Sequence, residues 1–401
     1  MISNWKECTL DELGEIVGGA TPSTKDESNY GGEIAWITPK DLSTLKGRFI
    51  AHGERNITEK GLNSCSTQMM PENAVLFSSR APIGYIAIAA NPVCTNQGFK
   101  SIVANEDNNP MFLYYLLKYN KDAIEAMGSG TTFKEVSGST MRSIRVRVPV
   151  NKIEQQRIAV ILSTLDSKIE LNNKINDNLY RLLMLSFKHD YWDVAEKRAN
   201  WTRTTLGEST SRFGTGLNPR KNFVLGHGNN YYVTIKNMGN NRIYLDDRCD
   251  MVDDEALAKI QKRSDLQVGD LLFSGIGTIG RVHLIDKPAT NWNTSESVFN
   301  LRPNSSISSE FLYLLLLHND MQEYATNLAS GSVQKGIRMA DLKRYDFILP
   351  TLDDMQRLTS LWAPLIRQIK NNEDESDSLA NLRDTILPKL MSGEIPVTDI
   401  C

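Results

Sequence analysis

Two long stretches of the chain repeat apolar residues at alternating steps of four and three. One lies between residues 158 and 183, and the other lies between residues 358 and 390. This heptad spacing places an apolar edge along a helix and is typical of helices that pair with a second helix. The pattern therefore predicts one long helix over residues 151–190 and another over residues 351–393.

Polar residues interrupt both apolar edges at positions that meet when the two helices are aligned antiparallel. In this alignment Asn172 faces Ser376, and Asn176 faces Asn372. A buried amide that is satisfied by another polar side chain fixes the register of a helix pair at some cost in stability. The predicted seam contains Ile158, Leu162, Ile169, Asn172, Asn176, Leu179 and Leu183 from the first helix, and Leu365, Ile369, Asn372, Ser376, Leu379, Ile386 and Leu390 from the second.

Two residues disturb this predicted seam. Arg383 faces Leu165 across it, and Pro364 costs about 3 kcal/mol inside a helix unless a new helix begins there. As an alternative to pairing, each helix packs only on the core of its own domain. If the helices do pair, the first one forms a rod of roughly 57 Å at 1.5 Å per residue and holds two domains apart.

The remainder of the sequence occurs twice. WITPKDL at 36–42 matches YVTIKNM at 232–238, and VLFSSRAPIGY at 75–85 matches LLFSGIGTIGR at 271–281. Short β-branched runs alternate with turn residues in each copy, and one short helix follows. We therefore predict two similar domains over 1–150 and 191–350 (linker 191–200), and a tail over 394–401. The predicted fold class is α+β: two similar mixed α/β domains separated by a long antiparallel two-helix coiled coil, with a pseudo-two-fold internal repeat.

Composition narrows the function without assigning it. The length of 401 residues exceeds what one core usually supports, and the hydrophobic content of 40% is ordinary for a soluble protein. The net charge of −3 means that any DNA affinity comes from local clusters of cations. An export signal and a membrane-spanning run are both lacking in the sequence, which predicts a cytoplasmic location. The five cysteines are scattered without CxxC spacing and are expected to be reduced thiols.

Several short motifs resemble catalytic or cofactor motifs, but their context argues against that interpretation. GIGTIG at 275–280 matches the dinucleotide fingerprint, yet the residues that follow predict a strand where a helix is required. FGTG at 213–216 resembles a methyl-donor motif but falls near the position of the turn-rich GGATP at 18–22 in the other copy. The five histidines are isolated, and there is no phosphate-binding loop and no HExxH. We expect no catalytic residue, no metal and no cofactor in this chain.

At this point the sequence resembles a known family. The segments PVNKIEQQRIAVILSTLDSKIELNNKI (149–175) and LPKLMSGEIPV (387–397), with the repeated WITPKDL, VLFSSRAPIGY, TNQGF (95–99) and GSGTTFKEVS (128–137), resemble the specificity subunit of type I restriction–modification systems. The resemblance covers essentially the whole chain. It departs from the family pattern at residues 354–357, where DMQR replaces the expected EQ pair, and at Pro364.

The resemblance implies a function as well as a fold. Each mixed domain would read one half of a split, asymmetric site in double-stranded DNA. The helices would dock two methyltransferase subunits that carry S-adenosylmethionine, and two motor/nuclease subunits that use ATP and Mg²⁺ would complete the assembly. The chain itself would be non-catalytic. The alternatives are a helical scaffold that organises partner subunits without reading sequence, and a self-sufficient nucleotide-modifying enzyme.

Loops that join strands are the natural carriers of DNA contacts. Lysines at matching positions of the two copies, Lys40 with Lys236 and Lys134 with Lys335, are expected to bind phosphates. Arg80 aligns with Ile276 in the second copy, and because the two copies differ at this position it is expected to read a base. The alternative for each is a solvated surface charge, as expected for Arg142, Arg145 and Arg147. The candidate DNA-binding residues are Thr21, Lys40, Arg80, Gln97, Thr131, Thr132, Lys134, Arg220, Lys221, Lys236, Ser274, Gln334 and Lys335.

Overall fold

The computed structural model describes residues 4–80, 82–130, 134–239, 241–331 and 335–397. The chain forms two compact units. Unit 1 comprises Met1–Lys174 and Glu373–Cys401, and unit 2 comprises Ile175–Asn372. Because both unit boundaries fall inside the long helices, each unit contains a mixed α/β domain and part of both helices.

Unit 1 is built around a five-stranded sheet with the strand order Gly14–Gly18, Lys100–Ala104, Val75–Ser79, Ile83–Ala89, Phe49–Ile50. Its pairs are antiparallel except the last, which is parallel. Trp5–Thr9 pairs antiparallel with Arg145–Pro149, and Trp36–Ile37 pairs parallel with Cys94–Thr95. The other strand is Tyr30–Ile34, and the helices of the domain are Pro39–Ser43, Glu59–Asn63, Pro110–Tyr119, Lys121–Ala126 and Gly138–Ser143, with 3-10 turns at Leu10–Glu12 and Glu27–Asn29.

The core of unit 1 lies between this sheet, the helix Pro110–Tyr119 and the long helices. The helix begins at Pro110, because the side chain of Asn109 accepts a hydrogen bond from the Phe112 amide at 2.9 Å and the proline occupies the first turn. Phe112 and Phe77 are fully buried in this core, which also includes residues of both long helices. The helices therefore pack on the domain as well as on each other.

Unit 2 contains a four-stranded antiparallel sheet with the order Thr210–Thr215, Val298–Pro303, Leu271–Ser274, Val282–Leu284. A second sheet has the order Asp250–Val252, Asn230–Val233, Trp292–Thr294, and its last pair is parallel. Two ribbons pair Thr202–Thr205 with Asp346–Leu349, and Met238–Gly239 with Arg242–Ile243. The helices of the domain are Asp254–Ser264, Ser309–Leu317, Asn319–Leu328 and Met339–Leu342, with a 3-10 turn at Ile235–Asn237.

The two units repeat the same mixed architecture, so the predicted fold class is confirmed. They differ in the helix Asp254–Ser264, which has 11 residues where unit 1 has the five-residue Glu59–Asn63. The longer helix is capped by Asp253, whose side chain accepts from the Ala256 amide at 2.8 Å. Ala256 and Ile260, four residues apart on one face, are buried against the neighbouring sheet.

The first long helix runs over Lys152–Phe187 and continues into a π-helical turn, Lys188–Trp192, and a short helix, Asp193–Ala195. The second runs over Leu352–Ser392 without a break. Of the two possibilities for Pro364, the structure has the proline inside a continuous helix and not at the start of a new one. Pro364 has no N–H, so the carbonyl of Ser360, four residues earlier, loses its helical hydrogen bond. Both residues lie at exposed positions of the helix, where water can bind that carbonyl.

Within each unit the two helices run antiparallel and are joined by polar side chains. In unit 1, Asn172 donates to Ser376 Oγ at 3.3 Å and to Glu375 at 2.8 Å. In unit 2, Asn372 donates to Asn176 Oδ1 at 2.7 Å. These are the polar pairs of the proposed seam. Half of the ten apolar seam positions are buried, namely Ile158, Leu162, Leu183, Ile369 and Leu390, and the other five are partly buried.

The predicted alignment placed Leu165 opposite Arg383, but in the structure Arg383 pairs with a carboxylate. Its Nη1 atom lies 2.5 Å from Oδ1 of Asp166, the next residue along the first helix. Tyr115 donates to the other oxygen of the same carboxylate at 2.6 Å. The guanidinium of Arg48 lies 2.9 Å from Glu170 one turn further on. A buried polar cluster therefore connects the domain of unit 1 to both helices.

Candidate nucleic-acid interface

In unit 1 a glycine-containing loop, 19–22, packs on the turn that follows strand Cys94–Thr95. The Ala20 amide donates to the Thr95 carbonyl at 3.0 Å, and the indole of Trp36 donates to the Ala20 carbonyl at 3.1 Å. A β-carbon at Gly19 would lie 2.2 Å from the Thr95 carbonyl oxygen, so only glycine allows this approach. The loop is thus held against the turn by its backbone.

This packing brings two of the predicted residues together. The Thr21 hydroxyl donates to Oε1 of Gln97, and both residues are exposed. The turn that carries Gln97 is fixed on either side, since the Asn96 amide donates to the Ile37 carbonyl at 3.0 Å and the Asn96 side chain accepts from the Gly98 amide at 2.9 Å. The Gln97 side chain therefore projects from a rigid turn.

Lys40 lies on the helical turn beside this site. Thr38 caps that turn in a capping box with Asp41, and Pro39 occupies its first position. A β-carbon at Gly98 would lie 3.1 Å from Cγ of Pro39, which places the capped turn directly against the turn of Gln97. Lys40 is exposed and forms an ion pair with Glu54 at 2.5 Å, and this pairing raises the lysine pKa.

A third loop joins the surface from the other side. Ser129 and Glu135 exchange backbone hydrogen bonds of 3.0 and 2.9 Å, and the Val136 amide donates to the Ser79 carbonyl at 2.9 Å. Arg80 lies 3.7 Å from the Glu135 carboxylate, and Lys134 is exposed. The Ser79 amide in turn donates to the carbonyl of the Gln97 turn, at Gly98, at 2.7 Å. Thr131 and Thr132 lie outside the described residues.

Unit 2 repeats the first loop and its turn with several corresponding contacts. A β-carbon at Gly216 would lie 1.7 Å from the Thr294 carbonyl oxygen. Tyr232 donates to the Leu217 carbonyl at 2.9 Å, as Trp36 does to Ala20 in unit 1. The Ser295 amide donates to the Val233 carbonyl at 2.8 Å. Residues 216–219, GLNP, therefore correspond to residues 19–22, GATP.

Glu296 occupies the position of Gln97 and is not among the residues predicted from the sequence. It lines a surface cavity of about 490 Å³ with Asn218, Arg220, Lys221 and Arg263. Arg220 and Lys221 are exposed there, so two predicted cations share the cavity with a carboxylate. The signal was present in the sequence, since TNQ at 95–97 aligns with TSE at 294–296.

The capped lysine is also repeated. Thr234 and Asn237 form the capping box, and the exposed Lys236 pairs with Asp250 at 3.2 Å. This partner lies 14 residues further along the chain, at the same separation as that between Lys40 and its carboxylate. The repeat therefore preserves a lysine that is paired with a carboxylate beside the turn.

The third loop recurs around Lys335. The Ile337 amide donates to the Gly275 carbonyl, and the Gly275 amide donates to the Ser297 carbonyl, both at 2.9 Å. Lys335 is exposed, and its carbonyl accepts from the Gly277 amide at 2.7 Å. Gln334 lies outside the described residues.

Ser274 must be removed from the candidate DNA-binding residues. It is fully buried, and its hydroxyl closes a turn by donating to the Thr278 carbonyl at 2.6 Å and accepting from the Arg281 amide at 2.8 Å. Ser78 makes the corresponding contacts in unit 1, at 2.8 Å each. GIGTIG belongs to this turn and leads into strand Val282–Leu284, as the sequence indicated.

The basic strand of unit 1 lies apart from these loops. Arg145 and Arg147 are exposed on the ribbon that pairs with Trp5–Thr9, and Arg147 lies over the Trp5 ring at 5.7 Å from its centroid. Arg142 is exposed in the preceding helix. These positions fit the predicted solvated face.

The described residues contain no group of three or more histidine, cysteine, aspartate or glutamate side chains that could hold a metal ion. In the same part of the chain, none of the helices has both the length and the apolar character needed to cross a membrane.

A family model described as the type I restriction modification DNA specificity domain matches residues 2–181 and 201–380. Since these two matches cover most of the sequence, the chain belongs to this family, whose members are the non-catalytic specificity subunits of type I restriction–modification systems. The resemblance identified from the sequence motifs is thereby confirmed.

Individual relatives match over nearly the full chain. The specificity subunit of the type I restriction enzyme MjaIX from Methanocaldococcus jannaschii is 29% identical over 417 residues, which cover 99% of this chain and 95% of the relative. That of HindI from Haemophilus influenzae is 21% identical, with 98% and 100% covered. The crystal structure of an S subunit from M. genitalium has a similar fold, with a TM-score of 0.58, 19% identity, and 97% and 96% of the chains covered.

Proposed function

We propose that the chain recognises a bipartite, asymmetric site in double-stranded DNA, with the three-loop surface of each unit contacting one half-site. The observation that carries this proposal is the duplication of that surface with different side chains on it. Each surface combines exposed cations with polar side chains on rigid turns, which are the two ingredients of phosphate positioning and base readout. Half-sites that differ in sequence require such differences between copies.

The repeated lysines Lys40 and Lys236, with Lys134 and Lys335, are proposed to bind phosphates. A phosphate is present at every step of the duplex, so a shared residue suits a shared ligand. Lys40 and Lys236 are already paired with exposed carboxylates. Such surface pairs contribute about 0–1 kcal/mol, so exchanging the carboxylate for a phosphate costs little.

The long helices are proposed to be the spacer between the two target-recognition domains, 1–150 and 191–350, and the surface on which two methyltransferase subunits dock. The first helix leaves several large apolar side chains largely exposed: Ile153, Val160, Leu171, Leu182 and Leu185. Exposed apolar side chains in such number on one helix favour contact with another protein. S-adenosylmethionine on the methyltransferases, ATP and Mg²⁺ on two restriction subunits, and a cytoplasmic location belong to the same proposal.

Footprinting tests the proposal against the alternative of a scaffold that does not read sequence. The full chain with its methyltransferase subunits is incubated with randomised duplexes, bound DNA is selected and sequenced, and the selected duplexes are footprinted. Two protected segments separated by an unspecified spacer are expected. Binding without any enriched sequence would overturn the proposal and favour the scaffold.

A further inference from the structure

The turns that carry Gln97 and Glu296 have the same backbone contacts and present different chemistry. In each, a parallel strand ends and an amide donates back to the neighbouring strand. The carbonyl that follows accepts from Ser79 in unit 1 and from Gly275 in unit 2, and the third loop donates to the carbonyl of that same residue. Gln97 carries both a donor and an acceptor, whereas the carboxylate of Glu296 only accepts. The fold therefore holds two different hydrogen-bonding groups at one equivalent position.

The surroundings of Gln97 suit a base that offers both a donor and an acceptor. The Thr21 hydroxyl donates to Oε1 and orients the amide, while Nε2 remains a donor. A side-chain amide held in this way matches adenine in the major groove, where N7 accepts from Nε2 and the N6 amino group donates to Oε1.

Glu296 lies in a different setting that selects a different base. Tyr232 lies 3.4 Å from its Oε2, and Arg220, Lys221 and Arg263 line the same cavity. A carboxylate needs a donor on the base edge. In the major groove guanine and thymine present acceptors at their exocyclic oxygens, and the amino group of adenine lies beside the N7 acceptor, whereas cytosine presents its N4 amino group. The neighbouring cations offset the repulsion between this carboxylate and the DNA phosphates.

We propose that Gln97 reads an adenine in the half-site bound by unit 1 and that Glu296 reads a cytosine in the half-site bound by unit 2. This assignment rests on the proposed function. It makes position 97 and its equivalent 296 specificity-determining residues, whereas the lysines at matching positions bind the DNA regardless of sequence.

Reciprocal substitutions test the assignment. Glu296→Gln is expected to change the preferred base at one position of one half-site from cytosine to adenine, and Gln97→Glu is expected to make the opposite change in the other half-site. The full chain with its methyltransferase subunits is used in selections from randomised duplexes, followed by titrations of duplexes that differ at that position. The expected change in relative affinity is roughly 5- to 150-fold. Glu323→Gln, at an exposed helical position of unit 2, is the matched control.

The outcomes separate this inference from the proposed function. If the unaltered chain selects no split site, the proposed function fails. If it selects a split site but Glu296→Gln weakens binding to all four bases equally, the function stands and the base assignment is overturned. A selected half-site without the expected base at the position that responds to substitution also overturns it. Circular dichroism verifies folding of each variant, and Gln97→Glu, at an exposed position, provides an independent test.

Discussion

Arg383 and Asp166 form a buried ion pair between the two long helices of unit 1, and removing one partner tests how that unit is held together. Their side chains are only 15% and 7% exposed. Leu183 and Ile366 occupy the equivalent positions of unit 2, where both are buried in the core. At equivalent positions of the repeated helices, unit 1 therefore buries an ion pair and unit 2 buries two apolar side chains.

Arg383→Leu is expected to destabilise unit 1 by about 3–5 kcal/mol, because it leaves a buried carboxylate without its cation. Burial by itself raises the pKa of Asp166, and hydrogen bonds from Tyr115 and Arg383 hold that pKa below its usual value. The double variant Asp166→Ile/Arg383→Leu removes both charges. The Tyr115 hydroxyl then loses one hydrogen-bond partner, which costs about 1–3 kcal/mol of stability. Burial of the two new apolar side chains is stabilising and offsets part of that cost. We expect a favourable coupling energy of about 2 kcal/mol or more between the two sites.

Native-state hydrogen exchange of the full chain, read by mass spectrometry on peptides from both long helices, measures these free energies locally. For the variants at Asp166 and Arg383, peptides from the unit 2 parts of the same helices serve as an internal reference. Arg367→Leu, at an exposed position of the second helix, is the matched control. The reasoning is refuted if Arg383→Leu changes protection no more than Arg367→Leu, or if the coupling energy is below about 0.5 kcal/mol.

The same ion pair predicts a dependence on pH. Because the pKa of Asp166 is lower in the folded chain than its usual value of about 3.9, its contribution to the stability of unit 1 is present above that value. The contribution is lost as the pH falls through the folded-state pKa. The double variant should lack this part of the acid sensitivity, and a protection profile against pH that matches the unaltered chain would contradict the assignment.

Further predictions concern the loops that are proposed to contact DNA. Lys134→Ala and Lys335→Ala should each weaken binding to all sequences and reduce the slope of log affinity against log salt by about 0.9, and an unchanged slope in salt titrations would remove the phosphate role. Arg80→Ala should relax base preference in one half-site only, and equal loss on cognate and random duplexes would contradict base reading. Gly19→Ala should lower affinity for the site by roughly tenfold because the loop is displaced, whereas Gly18→Ala, with no atom within 4 Å of its added β-carbon, should bind normally.

Sequence patterns predicted the fold well where a period or a repeat encodes it. The heptad spacing gave both long helices to within a few residues, and the internal repeat gave two mixed units. The heptad pattern alone did not predict the partner of Arg383. The long arginine side chain reaches past Leu165, which the alignment placed opposite it, and binds Asp166, the next residue of the partner helix. The effect of Pro364 was also hidden, since a proline at an exposed helical position leaves only a carbonyl that water can satisfy.

The candidate site shows a different limit. Ser274 was predicted to bind DNA, but the repeat preserves Ser78 and Ser274 for the turn that each hydroxyl closes. Glu296 is absent from the predicted residues, which contain cations, hydroxyls and amides but no carboxylate. In a duplicated reader of two different half-sites, identity marks the scaffold or a contact to the common phosphates, while a difference on an identical turn marks readout.

The construction of these turns allows the two units to present different side chains on the same fold, as the proposed readout requires. The turn of Gln97 is held by backbone hydrogen bonds from Ala20, Asn96 and Ser79, and by a glycine whose absent side chain lets the loop approach. None of these contacts uses the side chain at position 97. The same holds at Glu296, where the contacts of Ser295, Ser297 and Thr294 are made by the backbone. Substitutions at 97 and 296 should therefore change base preference with little effect on the stability of either unit, because the contacts that hold each turn are made by the backbone.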